Sequence, residues 1–94
     1  MKQLLFDWDP DKRRSNIQKH RLDFIRAAEI FEGPIVEGLD DRFDYGEDRW
    51  IGYGLSRGTV LKVVYTREDD LIRIISAQKA NPREHDAYFQ SLHR

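Results

Sequence analysis

Leu71-Ile72-Arg73-Ile74-Ile75-Ser76-Ala77-Gln78-Lys79-Ala80-Asn81-Pro82-Arg83-Glu84 is the stretch on which the reading of the fold turns. It opens as a strand rich in β-branched residues, of the kind a core buries. One charge, Arg73, interrupts the apolar run. A charge inside a β core is costly unless it is paired or open to a cleft. Arg73 is therefore either half of an ion pair or part of a site. The strand ends in polar Ser76, Gln78 and Lys79. A helix follows: Asn81 caps it, Pro82 suits its first position, and Glu84 closes a capping box. This last helix carries Ala87, Tyr88 and Leu92 and is expected to run to the end of the chain.

Upstream, Glu68-Asp69-Asp70 turns the chain back to a strand at 60–66, and Arg57-Gly58 turns it back again to 49–56. In 49–56, Trp50, Gly52 and Gly54 alternate with Ile51, Tyr53 and Leu55. The two glycines open no helix, so they are read as admitting a close neighbour rather than cradling phosphate. Three strands on short turns predict an antiparallel meander. Ile35-Val36-Glu37 begins one more strand, which an acidic loop follows. Ahead of it, Asp23 caps a helix whose Phe24, Ala27, Ala28 and Phe31 recur at helical spacing, and Gly33-Pro34 stops it. An earlier helix starts at Asp9-Pro10 and reaches His20, shallowly anchored by Ile17 and Leu22. Residues 4–8 read as a first strand, with Trp8 in the core. The expected fold class is α/β (α+β). One domain spans 1–94, with a strand and two helices first, then an antiparallel sheet, then a helix.

The chain has 94 residues, 39% of them hydrophobic, which suits one small core. The absence of cysteine excludes disulfides, thiolate zinc sites and a cysteine nucleophile. No apolar run is long enough for a signal or membrane helix, so a soluble, cytoplasmic protein is expected. The net charge of −1 hides an asymmetry. Lys12, Arg13, Arg14, Lys19, Arg21 and Arg26 cluster in the first third. Glu37, Asp40, Asp41, Asp44, Glu47 and Asp48 cluster before Arg49. Two solvated faces are the plain reading; a cationic interaction surface is the sharper one.

Metal chemistry finds little support. Asp7, Asp9 and Asp11 imitate the start of a calcium loop, but Lys12 stands where glycine belongs and Gln18 where glutamate should close it. His20, His85 and His93 form no zinc signature. Ser76 lacks a nucleophile elbow. What remains is chemistry run on positive charge. RNA is cleaved without metal when its 2′-hydroxyl attacks the adjacent phosphate, given a proton acceptor, a proton donor and cations for the pentavalent transition state. Arginine suits the stabilising part. Lys19, His20, Arg49, Arg73, Lys79, Arg83 and Tyr88 supply the types. Ordinary alternatives stand beside each. Arg73 could pair with a carboxylate, Lys19-His20 could complement a helix C-terminus, and Tyr88 could simply pack with its hydroxyl at a rim.

The motifs Phe6-Asp7-Trp8-Asp9-Pro10, Lys12, Asn16, Lys19-His20, Phe24 with Ala27-Ala28, and Phe31 before Pro34 resemble the N-terminal pattern of the BrnT toxins. Glu47-Asp48-Arg49-Trp50, Gly54, Val63-Val64-Tyr65-Thr66, Ile72-Arg73-Ile74-Ile75-Ser76-Ala77, Arg83-Glu84 and Tyr88 resemble the rest. The resemblance runs from Phe6 to Tyr88. It implies a RelE-like fold and a metal-independent endoribonuclease that needs no cofactor. It also implies a cognate BrnA-like ribbon-helix-helix antitoxin, with operator DNA reached only through that antitoxin. On it, the expected catalytic set is Lys19, His20, Arg49, Arg73 and Tyr88, and the expected RNA-binding set is Arg13, Arg14, Lys79 and Arg83. Acid and base are left unassigned. Two positions depart from the family pattern: Gln78 stands where arginine is usual, and Arg21 where glycine is usual. Gln78 favours an alternative, a weakened or inactive homologue that binds antitoxin or nucleic acid.

Overall fold

The computed structural model describes residues 3–42 and 44–93. Its strands are β1 (Leu5–Trp8), β2 (Val36–Asp40), β3 (Arg49–Ser56), β4 (Thr59–Glu68) and β5 (Leu71–Lys79). They form one sheet in the order β1-β5-β4-β3-β2. The last four make the expected antiparallel meander. β1 instead runs parallel to β5, with Leu5 opposite Leu71 and Trp8 opposite Ile74. The sheet is therefore mixed rather than wholly antiparallel. No hairpin links these two strands, and the long excursion between them leaves β1 free to enter in either direction.

Helix α1 (Pro10–His20) begins as expected, with the Asp9 carboxylate accepting from the Asp11 N–H. It ends on Arg21 in the left-handed region, at φ 54°, whose N–H donates to the Ile17 carbonyl at 2.8 Å. A charged side chain thus occupies a conformation that glycine adopts at least cost. The buried residue of α1 is Asn16, 5% exposed, whereas Ile17 is 39% exposed. The anchor is a polar one. The Asn16 amide donates to the Leu22 carbonyl at 2.9 Å and to the Ala77 carbonyl at 2.8 Å, and it accepts from the Ala77 N–H at 3.0 Å. β1 stops opposite Ile74, and beyond it this side chain serves the edge of β5 as a strand would.

Asp23 caps α2 (Phe24–Ala27), which tightens into a 3₁₀ turn over Ala28–Glu32. Tightening makes Ile30 the fully buried side chain and leaves Phe31 partly exposed, edge-on to Tyr65. Leu22, Phe24, Ala27 and Ile30 meet Leu61, Val63, Tyr65, Ile72, Ile74 and Ala77 on one face of the sheet. The two strand glycines do what the sequence suggested. A Cβ at Gly54 would sit 2.7 Å from Ile30 Cβ, and one at Gly52 would sit 2.9 Å from the Tyr65 ring. Tyr65 lies across Gly52 to donate to Glu37, which Arg67 also holds at 2.7 Å. Burial, then this hydrogen bond, raises the Tyr65 phenol above its ordinary range.

Helix α3 (Pro82–Leu92) has the expected capping box at Asn81 and Glu84. Arg94, to which the last helix was expected to extend, lies outside the described residues. α3 serves the other face of the sheet. Tyr53 and Lys62 stand opposite each other in register and point away from the side of Leu61 and Val63. Both reach Glu84: the Tyr53 hydroxyl donates at 2.8 Å and Lys62 Nζ lies at 3.3 Å. Burial and Glu84 together push the Tyr53 hydroxyl up to about 12.

Candidate active site

A β-bulge decides what the second face presents. Ser76 pairs with Val64, but Ile74 pairs with Tyr65, so β5 carries one extra residue, Ile75, between them. Strict alternation would send Arg73 and Ser76 to opposite faces. With the bulge, Arg73 pairs with Thr66, Ser76 with Val64 and Gln78 with Lys62, and all three lie on the face away from α2. Ile72, Ile74 and Ala77 stay in the core. Two register steps put Arg73 and Ser76 about 7 Å apart along the strand.

The row containing Arg73 crosses the whole sheet. Asp7 of β1 is opposite Arg73, and Thr66 of β4 follows. Arg49 of β3 shares the face of Ile51, whose partner is Val64, and Asp40 of β2 is opposite Arg49. Two arginines therefore flank a threonine, about 10 Å apart at strand spacing, with an aspartate outside each. Arg73 Nη1 meets Asp7 Oδ2 at 3.2 Å, and both side chains are about half exposed, at 50% and 46%. Arg73 is thus paired and also open to solvent. Arg49 is more enclosed, at 22% exposure, with its guanidinium 4.0 Å from the Tyr45 ring and 3.5 Å from Glu47. Asp7 Oδ1 and Arg49 Nε are buried without a hydrogen-bond partner among the described residues.

Lys19 and His20 stand exposed at the end of α1. The Asn16 contact brings that helix against β5, and a groove of about 250 Å³ lies between them. Lys12, Ser15, Lys19 and His20 line one wall, Ile75 and Ser76 the other. The bulge thus joins the α1 cations to the arginine row through Ser76. The remaining expected residues are scattered. Arg13 grips Asp23 with two bonds of 2.9 Å and lies over Trp8, tying α1 to the cap of α2. Its guanidinium is thus tied to the scaffold, with 38% of the side chain exposed. That hydrogen bond also lowers the Asp23 carboxyl below its ordinary value. Arg14 pairs with Asp11 on the surface. Lys79 is opposite Leu61, on the core side of the sheet, and Arg83 is exposed on the first turn of α3. Tyr88 is 1% exposed and its hydroxyl donates to the Pro34 carbonyl at 2.8 Å. It packs α3 against the chain ahead of β2, the rim-packing alternative that stood beside its expected role at the substrate.

Residue reasoning passed over Asp7, Lys12 and the pair Tyr45 and Glu47 on Arg49. Asp7 had a signal. Phe6-Asp7-Trp8 and Ile72-Arg73-Ile74 are mirror patterns, each a lone charge between apolar neighbours, of opposite sign. Two such strands satisfy each other when adjacent. Among the described residues, no group of three or more His, Asp or Glu side chains could hold a metal ion. No helix among them is long and apolar enough to cross a membrane.

No curated protein matches the chain. A family model does, over residues 8–84, and its description is the ribonuclease toxin BrnT of type II toxin–antitoxin systems. That span takes in the bulged strand, the arginine row from Arg73 to Asp40, and the groove beside α1. The chain belongs to the BrnT family of ribonuclease toxins of type II toxin–antitoxin systems.

Proposed function

We propose that the chain is an endoribonuclease that cleaves RNA on the second face of its sheet: the 2′-oxygen gives up its proton and attacks the neighbouring phosphorus to form a 2′,3′-cyclic phosphate, and the P–O5′ bond breaks as the departing 5′-oxygen takes up a proton. The observation that carries this reading is the bulge in β5, which sets Arg73 and Ser76 on one face beside the α1 groove. Arg73 and Arg49 meet the phosphate oxygens, where forked, permanently charged donors offset the charge of the transition state. Lys19 and His20 contact RNA or move protons at the groove, and Lys12 extends the cationic wall. No step in this scheme requires a metal ion. Arg14, Lys79 and Arg83 are peripheral contacts to the backbone. Cleavage of messenger RNA inhibits translation, and we assign the domain a RelE-like fold. A type II toxin has an antitoxin partner. We assign it as a BrnA-like ribbon-helix-helix protein that covers the α1 cations and alone touches operator DNA.

Gln78 favours a second reading. It lies on the same face as Arg73 and Ser76, and a cation there would add a phosphate contact. The chain would then be a weakened toxin that still binds its antitoxin. One experiment treats both. Purified protein is incubated with transcribed messenger RNA, with and without EDTA, as wild type, Arg73→Ala and Gln78→Arg. Cleavage that survives EDTA and falls about 100-fold or more in Arg73→Ala is expected, the scale for losing an oriented transition-state donor. Undiminished cleavage by a folded Arg73→Ala protein would sink the assignment. A wild type silent until Gln78→Arg is made would favour the second reading.

A further inference from the structure

We propose that Asp7 is a positioning residue, whose carboxylate fixes the Arg73 guanidinium on the open face in the attitude that meets a phosphate. The proposal rests on the reading of Arg73 as a phosphate-binding group. Asp7 is directly opposite Arg73 in the parallel pair of β1 and β5, so the two Cα positions are set by backbone pairing. One carboxylate oxygen accepts from Arg73 Nη1 at 3.2 Å. The other oxygen is buried, with no hydrogen-bond partner among the described residues. With that oxygen tucked in, the carboxylate presents a single edge to the guanidinium. Arginine is a long side chain with many rotamers, and holding it beforehand lessens the freedom lost when it binds. Half of the Arg73 side chain stays exposed, and a guanidinium has five N–H donors. One serves Asp7 and others remain for phosphate.

The same geometry argues against two other parts for Asp7. As a general base it would have to reach the 2′-hydroxyl, but one oxygen is sealed from solvent and the other is on the guanidinium. As a mere neutraliser it would weaken Arg73, and its removal would speed the reaction. Positioning predicts the reverse sign.

The test compares steady-state cleavage of a labelled transcribed RNA by the full chain as wild type, Asp7→Asn, Asp7→Ala, Arg73→Ala and the Asp7→Ala/Arg73→Ala double variant. Folding of each is verified by circular dichroism. Asp7→Ala is expected to lower kcat roughly ten- to hundredfold, the scale of a misplaced reacting group, with KM little changed. Asp7→Asn keeps an acceptor oxygen in the same place and should recover part of the loss. The double variant should be no slower than Arg73→Ala. Unchanged kcat in folded Asp7→Ala, or a rise in kcat, overturns the proposal while leaving Arg73 in place. So does a double variant slower than Arg73→Ala, because Asp7 would then act on its own. Full cleavage by Arg73→Ala removes the underlying reading instead, and the two failures are told apart by that single variant.

Discussion

Two glycines on the meander differ in what surrounds them, and they make a sharp test of the packing. Gly54→Ala would drive a methyl to 2.7 Å from Ile30 Cβ and 3.2 Å from the Ile30 carbonyl oxygen. Backbone cannot give way as a side-chain tip does, so a loss of about 1–3 kcal/mol is expected, the usual scale of overpacking. Gly38 has nothing within 4 Å. Gly38→Ala should be neutral or stabilising by up to about 1 kcal/mol, since alanine loses less freedom in a strand. Urea unfolding of both variants measures the contrast, and equal effects would mean that Ile30 does not seat on Gly54. The sequence announced these close approaches through a periodic strand broken by glycine. It also announced Arg73, because a lone charge among β-branched residues has few explanations. It did not announce where Arg73 stands relative to Ser76. That depends on one extra residue in a ladder, and bulges have no fixed residue signature.

Among the elements, helices were more legible than their contacts. Asp9-Pro10, Asp23 and Asn81-Pro82 mark each start in the places the caps occupy. Composition marked α1 as a surface helix but could not show that its seat is an amide on a strand edge. The charge blocks also misled in part. The acidic stretch reads as a solvated loop, yet Asp40 ends β2 with its side chain 1% exposed. Arg42 holds Asp40 through two bonds of 2.8 and 3.0 Å, and the Tyr45 hydroxyl donates at 3.2 Å. Hydrogen bonding from Arg42, outweighing burial, lowers the Asp40 carboxyl from 3.8 to about 2. Because the folded value is the lower one, this tie is fully present above about pH 4 and is lost as pH falls toward about 2. Carboxyl NMR titration should give Asp40 a midpoint near that lower value. The Tyr45 and Arg49 signals should move with it, since the ring lies over the guanidinium. A midpoint in the ordinary carboxylate range would mean that the loop is not held this way.

At the scale of the whole molecule, the sheet separates two jobs. One face carries α2, the 3₁₀ turn and the core; the other carries α3 at the end marked by Tyr53 and Lys62, and the arginine row at the opposite end. Tyr88 belongs to the structural end. Tyr88→Phe should cost about 1 kcal/mol, the net worth of one hydrogen bond, and leave RNA cleavage per folded molecule unchanged. A large fall in kcat with intact stability would return Tyr88 to the active site. The topology that permits this division has one exposed flank. β5 is longer than the β1 strand beside it, and past Ile74 its outer side is served, among the described residues, by Asn16. An unserved strand edge recruits other strands, from a second molecule as readily as from its own chain. Asn16 ties α1 down, and by occupying that edge it is expected to hinder self-association as well. Asn16→Leu keeps the branched shape, though not the volume, and removes the amide, so its sedimentation should rise with concentration more steeply than that of the wild type. In a toxin produced alongside a partner that must find it unaggregated, one asparagine amide bears on whether the protein can be captured at all.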